Sequence, residues 1–133
     1  MPREERLRQF AEDWLARARG NLARARQPKP AEAFWEDHCF DAQQAAEKAV
    51  KAVLTLRGID FPKSHDIAEL LTLLSSADLP DDLWDADSLT EYAVLTRYPE
   101  RKPPVSEDEY RGAVTLAEQV VSWAEGIVLG DRG

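Results

Sequence analysis

The sequence is poor in the residue types from which disulfides and metal sites are built. Its 133 residues include one cysteine, Cys39, and two histidines, His38 and His65. A single cysteine cannot form an intrachain disulfide, which fits a reducing compartment. No HExxH motif, no pair of CxxC motifs and no pair of helical Glu-x-x-His motifs occurs. We therefore expect neither a metal nor any other cofactor.

The familiar motifs of nucleotide-binding and nucleophilic sites are missing as well. The six glycines are scattered, so neither a Walker loop nor a GxGxxG pattern occurs. No GxSxG motif occurs, and Cys39 lies on an apolar helical stripe, where a cysteine packs into the core. The sequence assigns no residue to catalysis.

Long apolar runs and an excess of positive charge are also lacking. No apolar run approaches the ~20 residues that span a bilayer, and the charged N-terminal segment lacks the apolar region of a signal peptide. We therefore expect a cytoplasmic protein that enters no membrane. The formal net charge of −8 argues against strong unaided binding to nucleic acid, because phosphate binding needs clustered cations.

Two local groups of basic residues contrast with this acidity. We interpret both as solvated surface, with a small basic patch as the alternative. The first lies near a predicted turn and the second on the first predicted helix: Arg97, Arg101 and Lys102, and Arg3, Arg6, Arg17, Arg19, Arg24 and Arg26.

Apolar residues recur at spacings of three and four over most of the chain, the period of an amphipathic helix. The spacing predicts helices over residues 3–26 and 31–56, a short helix from residue 67, a helix over 82–97 that is interrupted near 85–88, and a last helix from 106. No alternating run is long enough to support a sheet. We predict an all-α fold, an up-and-down bundle of about five helices, with residues 1–133 as one domain and a frayed tail over 130–133.

Local signals mark where several of these helices begin and end. Gly58 is placed to end the second helix in a left-handed conformation. Ser64 is the predicted N-cap of the third helix, with Asp66 in its first turn. The two later helices begin with capping-box spacing, a serine followed three residues later by glutamate: Ser88 with Glu91, and Ser106 with Glu109.

The second helix is apolar on more than one side, which is typical of a central helix or of one that faces a partner. Its alanines allow another helix to approach closely, and Phe40 adds a large apolar group away from the main stripe. The candidate interface residues on this helix are Phe40, Gln44, Glu47 and Lys51.

Polar side chains near two helix ends are the candidates for ligand binding. Lys63, His65 and Asp66 surround the start of the third helix, a position that can bind an anion; a capping or loop-packing role explains His65 as well. Arg97 and Tyr98 end the fourth helix, where the helix dipole alone favours an arginine. His38, by contrast, lies on the core stripe of the second helix, and we expect it to pack there.

Two stretches resemble the HEPN family, the "higher eukaryotes and prokaryotes nucleotide-binding" domains. The segment DAQQAAEKAVKAVLTLRGIDFPKSHDIAELL is similar to the second and third helices of that family, which often show a Q-A-A-E-K-x-x-K-A run, a glycine and a K-x-H-D-[IL] loop. LTRYPE is similar to the family's R-Y-P segment, and Trp14 fits as well. The matching residues of the first stretch are Gln44, Ala45, Ala46, Glu47, Lys48, Lys51, Ala52, Gly58, Lys63, His65, Asp66 and Ile67.

The resemblance implies a helical bundle that forms a homodimer, often beside a small nucleotidyltransferase of the polymerase-β type. In such pairs the helical subunit is a toxin ribonuclease or an accessory, substrate-binding subunit. The ribonucleases carry an arginine, four to six residues, and then a histidine. Neither His38 nor His65 has an arginine at that spacing, so the usual route of RNA cleavage is in doubt.

Three functions follow as hypotheses. The first is a non-catalytic, homodimeric binding subunit for a nucleotide, a partner nucleotidyltransferase or both, with its ligand site formed by Lys63, His65, Asp66, Arg97 and Tyr98. The second is a divergent ribonuclease in which His65 is the general base and Arg97 stabilises the transition state. The third is a structural or antitoxin-like partner that docks through Phe40 and the alanines of the second helix.

Overall fold

The structure, a computed structural model, describes residues 2–95 and 104–130, and every regular element within these ranges is helical. The α-helices are α1 (Arg3–Ala25), α2 (Trp35–Leu56), α3 (Ile67–Leu71), α4 (Glu91–Leu95) and α5 (Glu107–Val128), and a 3-10 helix spans Asp81–Thr90. The predicted all-α bundle of five helices is confirmed.

Helix α2 is the centre of the fold. It packs against α1 along most of its length and against α5 on another side, while α3, α4 and the 3-10 helix lie around these three long helices. Alanines let the long helices approach closely, because a methyl side chain takes up little space between two helices. Those with no exposed surface include Ala11, Ala18, Ala25, Ala42, Ala45, Ala46, Ala49, Ala117 and Ala124.

The second helix begins four residues later than its apolar spacing predicts. Residues 31–33 form a turn closed by the bond from the Ala33 amide to the Pro30 carbonyl at 3.0 Å, and Phe34 is extended. This entry lets the ring of Trp35 stack on Tyr110 of α5, with the ring centroids 4.4 Å apart. The contact joins residues that are far apart in the sequence, so it could not be read from the local pattern.

The predicted fourth helix is two elements. Its first part is the 3-10 helix, in which Ser88 donates to the Asp85 carbonyl and does not cap a new helix. This geometry brings Asp87 and Thr90 to the N-terminal end of α3. There Asp87 Oδ1 accepts from the Ala68 amide at 3.0 Å, and Thr90 Oγ1 accepts from the Ile67 amide at 3.1 Å. Residues 96 and 97, the predicted end of this helix, lie outside the described residues.

Other helix ends agree with the local signals, with one correction. Ser106 caps α5 by accepting from the Glu109 amide at 3.1 Å, as predicted. The N-cap of α3 is Asp66 and not Ser64: the Asp66 carboxylate accepts from the Glu69 amide at 3.1 Å. The Ser64 hydroxyl accepts from the Asp66 amide one turn earlier, because the chain is extended at Asp66.

Gly58 ends α2 in the left-handed conformation that its position predicts. Its φ is 70°, its amide donates to the Thr55 carbonyl at 3.0 Å, and the Ile59 amide donates to the Leu54 carbonyl at 2.9 Å. This pair of bonds is the Schellman motif, in which glycine avoids the steric cost that a Cβ atom meets at positive φ.

Alanine substitutions of two glycines are expected to change stability in opposite directions. Gly58→Ala should lower the free energy of unfolding by about 1–2 kcal/mol, because it places a Cβ atom in the left-handed region. Gly20→Ala should raise it by about 0.5–1 kcal/mol, because Gly20 lies inside α1 and an added Cβ meets nothing within 4 Å. Urea unfolding of both variants checks the signs; equal effects would contradict the assignment.

Within the described ranges, no helix combines the length and the apolar character needed to cross a membrane.

Candidate functional site

The predicted ligand residues fall into two sets. Lys63, His65 and Asp66 lie in the loop between α2 and α3, which packs along the side of α2. Arg97 and Tyr98 lie outside the described residues, as do Arg101, Lys102 and the last three residues of the predicted frayed tail. Within the described residues, the candidate site therefore consists of the loop and the helix beneath it.

A buried glutamate of α2 holds the loop. Glu47 is 3% exposed. Its Oε1 accepts from Gln43 Nε2 and from His65 Nδ1, both at 2.9 Å, and its Oε2 accepts from Lys51 Nζ at 2.9 Å. We call these four residues, Gln43, Glu47, Lys51 and His65, the Glu47 network. Both carboxylate oxygens have donors, as a buried carboxylate requires.

Sequence spacing explains why these groups meet. Gln43, Glu47 and Lys51 are four residues apart, so they lie above one another on one side of α2. Gln43 Nε2 donates a second time, to the His65 carbonyl at 3.2 Å, so that both the backbone and the ring of His65 are tied to α2. Gln44 extends the chain of bonds by donating to Gln43 Oε1 at 2.7 Å.

Two aromatic rings enclose the cation of the network. Lys51 Nζ lies 5.5 Å from the ring centroid of Trp14 on α1 and 5.7 Å from that of Phe61 in the loop. The two rings contact each other edge to face, with centroids 6.2 Å apart. Cation–π contacts of this kind favour the charged ammonium where water is excluded. The network therefore joins α1, α2 and the loop.

The protonation of the network follows from its partners. Burial alone raises the pKa of Glu47, but the hydrogen bonds from Lys51, Gln43 and His65 outweigh it and hold that pKa below its ordinary value. An ionised carboxylate only accepts, so Nδ1 of His65 carries the hydrogen. The side chain of His65 is 55% exposed, and its Nε2 has no hydrogen-bond partner among the described residues. A ligand can therefore reach the exposed ring.

Acid should remove the contribution of Glu47 to stability. Because its folded-state pKa is depressed, that contribution is complete above the ordinary value of 4.5 and is lost as the pH falls through the lower folded-state value. We expect the free energy of unfolding to fall below pH 4.5 by up to about 1.4 kcal/mol per pH unit more in the wild type than in Glu47→Gln. Urea unfolding between about pH 7 and pH 3 measures this; parallel curves would contradict it.

The residues predicted for an interface are placed differently from one another. The polar groups of Glu47 and Lys51 are buried in the protomer and bond to each other, a role in loop anchoring that the interface prediction did not include. Phe40 and Gln44 are half-buried, and for them the interface role stays a prediction. Sequence reasoning missed Gln43, which has no exposed surface. The available signal was polar residues four apart in an alanine-rich helix.

The other histidine and the cysteine are core residues, as predicted. His38 Nε2 lies 3.0 Å from the Gln27 carbonyl, and its ring contacts Trp35 and Tyr110 edge to face. Cys39 has no exposed surface. Over residues 2–95 and 104–130, no three His, Cys, Asp or Glu side chains are grouped so that they could hold a metal ion.

Comparison with known proteins identifies the family. The family model of the HEPN domain matches residues 11–127 of this sequence. This range runs from α1 to the last turn of α5 and includes the Glu47 network. The chain belongs to the HEPN domain family. A search of curated protein sequences found no match.

Two solved structures are similar to this HEPN domain along nearly their whole length. ST0689, an archaeal HEPN homologue, is 30% identical over 89% of this chain and 97% of its own, with a TM-score of 0.71. TT1696 from Thermus thermophilus is 35% identical over 86% of this chain and 95% of its own, with a TM-score of 0.75. The resemblance to HEPN domains drawn from the sequence is therefore confirmed for family and fold.

Proposed function

We propose that this HEPN domain is a non-catalytic binding subunit that forms a homodimer and binds a nucleotide, a small nucleotidyltransferase or both. The observation that supports it best is His65, whose ring is exposed while the buried Glu47 fixes its orientation. A side chain held in this way loses little conformational freedom when it binds a ligand. The adjacent Lys63 is exposed and adds a positive charge.

The residues of the proposed site have different roles. Asp66 accepts from the Glu69 amide as the N-cap of α3, so it positions the loop, and its exposed side chain remains a candidate for ligand contact. His65 Nε2 accepts a hydrogen bond when the ring is neutral and donates one when it is protonated. Arg97 and Tyr98 remain candidates for phosphate and base contacts, as a bidentate donor and a stacking ring.

Mass and binding measurements test this proposal together. Size-exclusion chromatography with light scattering is expected to give the mass of two chains, and nucleoside triphosphates at millimolar concentration are expected to raise the melting temperature. His65→Ala should reduce the rise, whereas the matched control Arg111→Ala, an exposed site on α5, should keep it in full. A monomer with no nucleotide-dependent shift and no captured nucleotidyltransferase would contradict the proposal.

A divergent ribonuclease is the second candidate, and one observation favours it. A buried carboxylate that accepts from Nδ1 of an exposed histidine is the arrangement that orients the ring as general base. RNA cleavage by the purified wild type that disappears in His65→Ala would support this candidate. Cleavage that persists in His65→Ala and in a His65→Ala/Arg97→Ala double variant would exclude it.

The docking role through α2 has less support. The alanines expected to form that interface, among them Ala42, Ala45 and Ala49, have no exposed surface within the protomer. Among the residues predicted for that interface, Phe40 is the large apolar side chain, and it is half-buried. A partner that docks on α2 would therefore contact the phenylalanine and the polar edge near Gln44.

A further inference from the structure

The exposed arginines in the second half of α1 and at its C-cap, Arg26, differ in their partners. Arg19 and Arg26 face α5: Arg19 Nε donates to Glu125 at 2.7 Å, and the guanidinium of Arg26 donates twice to Glu118. Arg17 forms no ion pair or hydrogen bond within the described part of the chain, although it is exposed. Arg19 and Arg26 thus have ion-pair partners because their side of α1 faces the acidic helix α5, whereas Arg17 lies on another side.

Arg17 and Arg24 lie on the side of α1 that faces Lys48 of α2. They are seven residues apart, close to two helical turns, so their side chains leave the helix in nearly the same direction. Both lie close enough to Lys48 for their charges to act on its ammonium. We call Arg17, Arg24 and Lys48 the cation cluster.

Buried polar groups fix the centre of this cluster. Lys48 Nζ donates to Asn21 Oδ1 at 2.7 Å, and Asn21 Nδ2 donates to Asp41 Oδ1 at 3.1 Å. Asn21 and Asp41 are 8% and 9% exposed, so the amide that receives the ammonium cannot turn away. Asp41 is also 3.4 Å from the guanidinium of Arg24. Lys48 makes no salt bridge within residues 2–95 and 104–130.

The charges in the cluster are not balanced. Burial lowers the pKa of Lys48, and the charges of Arg17 and Arg24 lower it further. The carboxylates of Glu47 and Asp41 raise it, and the net change is a decrease. Three cations thus share the carboxylate of Asp41, because the other carboxylate near Lys48, that of Glu47, accepts from Lys51 and His65. Bringing like charges together costs free energy, and a bound anion removes that cost.

We propose that the cation cluster is a binding site for an oligophosphate group, with Lys48 at its centre and Arg17 and Arg24 on either side. An ammonium that has donated one hydrogen bond to Asn21 keeps two hydrogens for a phosphate oxygen, and each guanidinium adds a planar fork of donors. Seven residues of helix separate the two arginines by roughly 10 Å along the axis, a span that suits two or three linked phosphates.

The same phosphates could come from a nucleoside triphosphate or from a nucleic-acid strand. An extended strand would pass from this small cluster onto the surface of an acidic protein, so the charge balance favours the compact ligand. The inference goes beyond the function proposed above, because it requires neither a base nor the loop residues Lys63 and His65.

Isothermal titration with inorganic triphosphate tests the site without a base. The wild type should bind it, and the Arg17→Gln/Arg24→Gln variant should bind roughly tenfold more weakly or worse, as loss of charge-assisted hydrogen bonds implies. Arg19→Gln/Arg26→Gln is the matched control, because it also removes two positive charges, one from α1 and one from its C-cap. The control should keep the affinity of the wild type.

The outcomes separate this inference from the other proposals. No triphosphate binding by the wild type, or equal weakening in both double variants, would overturn it. His65→Ala should leave triphosphate binding unchanged; if ATP binding depends on His65 and not on Arg17 and Arg24, the loop site stands and the cluster does not. A ten-nucleotide RNA that binds through the cluster while triphosphate does not bind would also overturn the oligophosphate assignment.

Discussion

Replacing Glu47 with alanine is expected to lower the free energy of unfolding by about 3–5 kcal/mol. The substitution leaves the ammonium of Lys51 buried without its carboxylate, and it removes the acceptor of Gln43 and His65. An uncompensated buried charge costs far more than the pair contributed, because water cannot reach the ammonium to solvate it. Urea unfolding monitored by circular dichroism measures the change.

A double variant separates the cost of an orphaned charge from the value of the pair. Glu47→Leu/Lys51→Met replaces both partners with apolar groups, and it should recover most of the stability that Glu47→Ala loses. Asp37→Ala, at an exposed position of the same helix, should change stability by no more than about 1 kcal/mol. A loss below about 1 kcal/mol in Glu47→Ala would show that water reaches the network and that it does not anchor the loop.

Leu54→Ala is expected to cost about 2–5 kcal/mol, the range for emptying a well-packed site. Leu54 has no exposed surface and lies in the last turn of α2, directly before the Schellman motif that leads into the candidate loop. The three lost carbon atoms leave a cavity that the close-packed core can only partly fill. Thermal or urea unfolding of the variant measures the loss.

Leu73→Ala provides the matched control for the same chemical change. Leu73 is 37% exposed, so the substitution should cost no more than about 1 kcal/mol. If the two leucines gave equal losses, the core would not be centred on α2 as described. A loss in Leu54→Ala that also weakened nucleotide binding at the loop would link the end of α2 to the candidate site.

The Glu47 network relates stability to the proposed function. The residues that hold His65 in place are buried and bonded to one another, whereas the ring they position is exposed. Variants of Glu47 should therefore affect both unfolding and ligand binding, while variants of His65 should affect chiefly binding. The cation cluster lies on α1 and α2, so its variants report on phosphate binding independently of the loop.

Several features of this protein that depend on neighbouring residues could be predicted from the sequence, although the caps expected at Ser64 and Ser88 were wrong. The apolar period of α1 gives its start at Arg3, Ser106 caps α5, and Gly58 ends α2 with positive φ. Each of these features is determined by residues within about one helical turn or along one helix face. The hydrogen bonds and the side-chain spacing involved are therefore local in the sequence. The HEPN resemblance followed from the same local pattern.

Features that depend on distant residues needed the tertiary structure. The apolar spacing could not show that α2 begins at Trp35, because that start depends on stacking against Tyr110. The same holds for the site: Glu47 and His65 are 18 residues apart, and their meeting depends on how the loop folds back on α2. The sequence predicted which side chains could bind a ligand. Long-range packing decided which of them meet within the described residues, because burial and pairing depend on contacts between elements that are distant in the sequence.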